Sequence, residues 1–234
     1  TNMTQHLEGH TVHRYDGELN HVHTLMLEMG GLCHQQVKKA LNAVSKRDTT
    51  IAQEVLHREA EIDQLELKID QEIATIFAMR CPVAQDLRIL MSFAKAVTDF
   101  ERIGDEAARI ADITLQIYEN DTSYPNKHMM RDIKSMGKLA LETLTEGLEV
   151  FDSLDINRAE QLASADEDLD EEFRSALRRQ TTFVMEDGRN LGHGINIVLI
   201  TKAFERIGEH AVNLAEYVIY TIKGKDVRHQ SGKP

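Results

Sequence analysis

The stretch Phe100-Glu101-Arg102-Ile103-Gly104-Asp105 returns as Phe204-Glu205-Arg206-Ile207-Gly208-Glu209, and this return decides how the chain is organised. Working outward, Met29-Gly30, Leu32, Leu41, Asp48, Glu59 and Ile62-Asp63 recur 107 positions later as Met136-Gly137, Leu139, Leu148, Asp155, Asp166 and Leu169-Asp170. The hexapeptide recurs after 104, so the second copy lacks three residues between these blocks. Agreement at so many spaced positions marks an internal duplication.

Each unit reads as three helices. The first runs from about Asp16 to Val44, with Leu25, Leu32, Val37, Leu41 and Val44 at helical spacing, and its counterpart runs from about Asn126 to Leu154. Asp48 is placed to cap the second helix, which carries Ile51, Val55, Ile62, Ile69, Ile73 and Phe77; Asp155 takes the same place in the second unit. The third starts after Cys81-Pro82, since proline suits a helix start and disfavours helix in the residue before it. It continues from Ala84 to about Glu119, and 120–125 form a turn between the units. The last helix is predicted to end near Ile222, with Gly224 closing it in a left-handed conformation. Helices of about 30 residues span roughly 45 Å, and short turns make neighbours antiparallel. The predicted fold is all-α, a tandem duplication of a three-helix bundle with six long antiparallel helices. A flexible segment 1–15 precedes repeat 16–121, then repeat 122–224 and a tail 225–234.

Composition narrows the function classes. Lys and Arg number 27 against 39 Asp and Glu, a net charge of −12, which disfavours nucleic acid as a partner. No stretch approaches the roughly 18 apolar residues of a membrane span. Only Cys33 and Cys81 are present and no basic-then-apolar leader is visible, so a reducing cytoplasm is the expected location. No Gly-rich phosphate loop, nucleophile elbow or Cys/His nucleophile constellation is found, which points away from catalysis.

The chemistry lies in carboxylates that interrupt apolar stripes. On the third helix Leu87, Leu90, Ala94 and Val97 give way on the same face to Glu101 and Asp105. In the second unit Leu191, Gly194, Val198 and Thr201 lead to Glu205 and Glu209. The second helix carries Glu59, Asp63, Glu66 and Asp70, and its counterpart carries Asp166 and Asp170. Like charges four apart project side by side and repel, so something positive must offset them. Hard cations with oxygen ligands are one solution, and arginine is the other, with Arg102 and Arg206 adjacent in sequence. Gly104 and Gly208, at mid-helix positions where glycine costs about 1 kcal/mol against alanine, suggest close helix approach, as do Met29-Gly30 and Met136-Gly137. His210 follows Glu209, but its counterpart is Glu106, so the repeat gives it no support as a ligand.

These residues resemble the PhoU family of phosphate-uptake regulators. The most specific matches are Met29-Gly30-Gly31, Pro82-Val83-Ala84-Gln85-Asp86-Leu87-Arg88, the two Glu-Arg-Ile-Gly motifs, and the ending from Tyr220 to His229. The resemblance implies a non-catalytic cytoplasmic regulator linking a phosphate ABC transporter, through its ATPase subunit, to a sensor histidine kinase. Phosphate-starvation genes are then kept repressed when phosphate is plentiful. It also implies a homodimer and bound iron, zinc, manganese or magnesium. One metal site would use Glu101 and Asp105 facing Glu59 and Asp63; the other would use Glu205 and Glu209 facing Asp166 and Asp170. Glu209 departs from the usual Asp, and Glu59 also replaces Asp, which weakens the analogy more for the second site.

Two other classes remain open at this point. A carboxylate-bridged di-iron oxidase uses paired Glu-x-x-His sequences facing the bundle interior, and Glu18-Leu19-Asn20-His21 and Glu54-Val55-Leu56-His57 match by letter. A metal-free dimerisation bundle is the third reading.

Overall fold

The computed structural model describes residues 13–82, 85–119 and 124–224. Most of the segment predicted over 1–15, the tail 225–234 and most of the predicted inter-unit turn lie outside the described residues. Among the described residues every regular element is helical. The elements are α1 (His13–Lys46), α2 (Thr49–Arg80), α3 (Gln85–Glu119), α4 (Arg131–Ser153), α5 (Ile156–Leu162), α6 (Ala165–Glu186), a 3-10 turn (Gly188–Asn190) and α7 (Leu191–Lys223).

The duplication is visible in the backbone at the helix junctions. Arg47 and Leu154, 107 apart, both adopt left-handed φ, 60° and 53°. This conformation costs a non-glycine residue roughly 1 kcal/mol. Each is followed by an extended Asp that caps the next helix. Asp48 accepts from the Ile51 N–H at 3.1 Å, and Asp155 accepts from those of Asn157 and Arg158 at 2.9 and 3.1 Å. Gly224, at φ 66°, closes α7 by donating to the Tyr220 carbonyl at 2.9 Å.

α1 begins at His13, inside the segment 1–15 read as flexible and three residues before the predicted Asp16, and two boundaries in the second unit also differ from the sequence reading. The first helix of the second unit begins at Arg131 rather than Asn126, because the Asn126 side chain accepts from the His128 and Met129 N–H groups, both at 2.9 Å, and holds a turn. The counterpart of α2 is broken between α5 and α6 at Ala163-Ser164. There the Ser164 hydroxyl donates to the Gln161 carbonyl at 2.7 Å, a local bond that competes with the helix ladder. The same register in α2 holds Leu56-His57, and that helix is continuous.

The units lie side by side, with α3 and α7 antiparallel at the centre. Ser92 near the start of α3 meets Thr221 near the end of α7 at 2.8 Å, while Glu106 further along α3 meets Arg206 at 3.0 Å. One main core runs through both units, with a small separate cluster of Ala43, Ala52, Val55 and Ala111 in the first. Phe151 of α4 packs against Phe93 and Phe100 of α3, with ring centroids 6.0 and 6.1 Å apart. The repeats are therefore structural units rather than independently cored domains. The glycines mark the close approaches. A Cβ on Gly30 would lie 2.5 Å from Leu148 and one on Gly137 2.5 Å from Leu41, where α1 crosses α4. Gly104 faces Ile62 of α2, and Gly208 faces Leu169 of α6.

Candidate metal centre

In the first unit α2 buries Ile62, Ile69 and Ile73 and carries Glu59, Asp63, Glu66 and Asp70 on the adjoining stripe. Each carboxylate is three or four residues from the next, so they line one edge of the helix. On α3 Glu101 and Asp105 flank the buried Ile103 and Gly104, and Ile62 closes over Gly104, a contact of only 3.0 Å to a Cβ placed there. The acids of both helices thus edge one groove. Burial, and next the Asp105 charge, push the Glu101 carboxyl up to about 7, with Arg102 opposing. Burial also raises Glu59, reinforced by Asp105 and Asp63, and raises Glu66, reinforced by Asp70, Asp63 and Asp105. The acids of α2 therefore feel those of α3 across the groove. The α3 acids pair with Arg102, 3.4 Å from Glu101 and 3.5 Å from Asp105, which is itself more than half exposed.

The second groove lies between α6 and α7 and brings Asp166 and Asp170 towards Glu205 and Glu209. Burial raises Glu209, with Lys202 opposing and Asp166 reinforcing. Burial raises Glu205 as well, with Lys202 opposing and Glu209 and Asp170 reinforcing. Here the lining differs. Glu205 is 2% exposed and ion-paired with Lys202. The Lys202 ammonium also sits 4.9 Å from the Phe173 ring centroid, and Arg174 holds Asp170 at 2.5 Å. By the repeat offsets Phe173 replaces Glu66, Leu177 replaces Asp70 and Lys202 replaces Thr98.

All eight carboxylates named from sequence thus fall into two grooves, four to each. Among the described residues no three His, Cys, Asp or Glu side chains stand close enough together to hold an ion as arranged. The donor chemistry of the first groove suits a hard cation, since it offers only carboxylate oxygens, several with raised proton affinity, and one exposed arginine. The second groove suits one less well, because Lys202, against the Phe173 ring, is ion-paired with its most buried acid, Glu205.

Arg206 turns away from Glu205 to Glu106 on α3, at 3.0 Å. His210 is committed elsewhere. With Asn213 and Tyr217 it surrounds Asp99, which is 6% exposed, at 2.7, 3.0 and 2.5 Å. This buried network was not read from sequence, although the spacing 210, 213, 217 is a helical stripe. The Glu-x-x-His pairs do not assemble an interior site. Glu18 holds Arg80 and Glu54 holds Lys39, while His21 and His57 are exposed. An apolar groove of about 330 Å³ between the far ends of α6 and α7, lined by Val184, Met185, Leu191, Ile195 and Leu199, also carries no motif.

The PhoU domain model matches residues 26–114 and again 133–218. This chain belongs to the PhoU family. The accessory protein PhoU homolog of the phosphate-specific transport system of Pseudomonas aeruginosa is 39% identical over 95% of this chain and 91% of its own length. The PhoU accessory protein of Escherichia coli K12 is 29% identical over 99% of this chain and 92% of its own. The crystal structure of PhoU from Pseudomonas aeruginosa superposes with a TM-score of 0.85 at 37% identity, covering 90% of this chain and all of that one. The phosphate transport system regulatory protein PhoU of Streptococcus pneumoniae superposes with a TM-score of 0.81 at 27% identity, covering 91% and 98%. The two matched PhoU domains coincide with the two helical units, and each contains one carboxylate groove.

Proposed function

We propose that this chain is a non-catalytic accessory regulator of phosphate-specific transport, acting on the cytoplasmic side. It links the ATPase subunit of a phosphate ABC transporter to a sensor histidine kinase and keeps phosphate-starvation genes repressed when phosphate is plentiful. The observation that carries this reading is the near full-length match to accessory proteins of phosphate-specific transport in both PhoU domains. Two structural features support it. Among the described residues no helix is long and apolar enough to cross a membrane, which suits a role through membrane-bound partners. The exposed apolar groove at the end of the second unit is the kind of surface that adaptors and homodimers use.

The same proposal assigns the first groove a divalent or trivalent cation, iron, zinc, manganese or magnesium, held by Glu59, Asp63, Glu101 and Asp105. The ion would supply positive charge to acids that repel one another across α2 and α3, tying these helices together. Deleting the gene tests the signalling role. Phosphate-scavenging genes become expressed in high phosphate, and a plasmid copy restores repression. Continued repression in the deletion strain contradicts the proposal.

A further inference from the structure

We propose that Lys202 is a built-in counter-ion that replaces a metal in the second groove, so that external cations bind at the first groove alone; this rests on the metal reading of the first groove. The units present the same four carboxylate positions but differ at the places around them. Where the first groove has Glu66 and Thr98, the second has Phe173 and Lys202. The exchange removes one acid and adds one cation, and the two new side chains touch, with the ammonium 4.9 Å from the ring centroid. The ammonium is ion-paired with Glu205, a side chain 2% exposed. A carboxylate so buried retains its charge only beside a cation, and a divalent ion on the same oxygens would meet that ammonium at contact distance. Arg174 pairs with Asp170 at an exposed position, as Arg102 does with Glu101 and Asp105, so of these cations the lysine alone separates the two grooves. With Glu205 committed to the lysine, Asp166, Asp170 and Glu209 are left in the second groove, against Glu59, Asp63, Glu101 and Asp105 with Glu66 and Asp70 beside them in the first.

The test uses the full chain, with Mn2+ as the probe. Metal content after dialysis is compared for the wild type, E101Q/D105N and E101Q/D105N/E209Q. Content falling to the blank in E101Q/D105N is the expected result. Half or more of the wild-type content persisting there, and vanishing only with E209Q, overturns the proposal. A wild type that holds no Mn2+ instead contradicts the metal reading of the first groove, and Lys202 is then judged by thermal unfolding in chelator. K202M is expected to lower Tm by about 5–10 °C, and K202M/E205Q to recover most of that loss by removing the stranded charge. If K202M does not fold, folding of K202M/E205Q supports the counter-ion role and its failure to fold overturns it. An unchanged Tm in K202M overturns it as well.

Discussion

The grooves of the two units make a natural experiment in offsetting clustered negative charge. Both sit between the second and third helices of a unit, both are backed by a glycine on the third helix, and both carry the same two acid positions on each wall, to which the first adds Glu66 and Asp70. In the first, burial and mutual repulsion push Glu101 up to about 7, and the available Arg102 lies out in solvent. In the second, a lysine lies over an aromatic ring and holds the most buried acid of the set. On the proposed reading one groove takes a cation from solution, and the other carries a lysine on its most buried acid. Duplication supplied equal scaffolds, and a few substitutions on the walls separated their chemistry.

The largest expected effect separates the two lysine-position residues. Lys202→Met leaves Glu205 buried without its cation and is expected to cost about 3 kcal/mol, whereas Thr98→Met, at an exposed position of α3, changes stability by less than about 0.5 kcal/mol. Urea midpoints in chelator read both, and equal effects would erase the distinction between the grooves. Next comes pH. The folded Glu101 carboxyl, near 7, lies above its unfolded value of about 4.3. The folded state therefore binds the proton more tightly, and this stabilisation is complete below about pH 4 and lost as pH rises through 7. Glu101→Gln is expected to remove that loss and, in metal-free protein, to be more stable than wild type by about 1–2 kcal/mol at pH 8, with no gain at pH 4.

A third prediction converts one groove towards the other. Thr98→Lys places an ammonium beside Glu101 and is expected to weaken Mn2+ binding about tenfold, equivalent to roughly 1.4 kcal/mol. Titration calorimetry reads this directly, and unaltered affinity would show that position 98 does not face the ion. The smallest effect concerns the glycines behind the grooves. A Cβ at position 208 would lie 2.5 Å from Leu169, whereas one at position 104 would lie 3.0 Å from Ile62. Overpacking outweighs the gain in helix propensity in the tighter case, so Gly208→Ala is expected to cost about 1 kcal/mol and Gly104→Ala close to none.

Much of the architecture was legible in the sequence because the duplication repeated each local signal. Asp48 and Asp155 cap as read, Gly224 ends α7 as read, and the four glycines sit at the helix approaches their placement suggested. The break at Ala163-Ser164 was not read, since a serine bond to a nearby carbonyl leaves no mark on hydrophobic periodicity. The grooves were legible as clusters of acids but their counter-ions were not. Arg206 is next to Glu205 in sequence, yet it lies about 100° round the helix and serves Glu106 of the other unit. Lys202, three residues before Glu205, shares its face and makes the pair. The Asp99 network escaped for a related reason, because its partners come from α7 and only the antiparallel packing of the units brings them to α3.

Crystals soaked in Mn2+ and measured near the manganese absorption edge test the central claim most directly, since anomalous scattering locates each ion without reference to activity. The account predicts peaks among Glu59, Asp63, Glu101 and Asp105 and none among Asp166, Asp170, Glu205 and Glu209, with Lys202 still on Glu205. Peaks of equal height in both grooves, or a peak in the second groove alone, would contradict it.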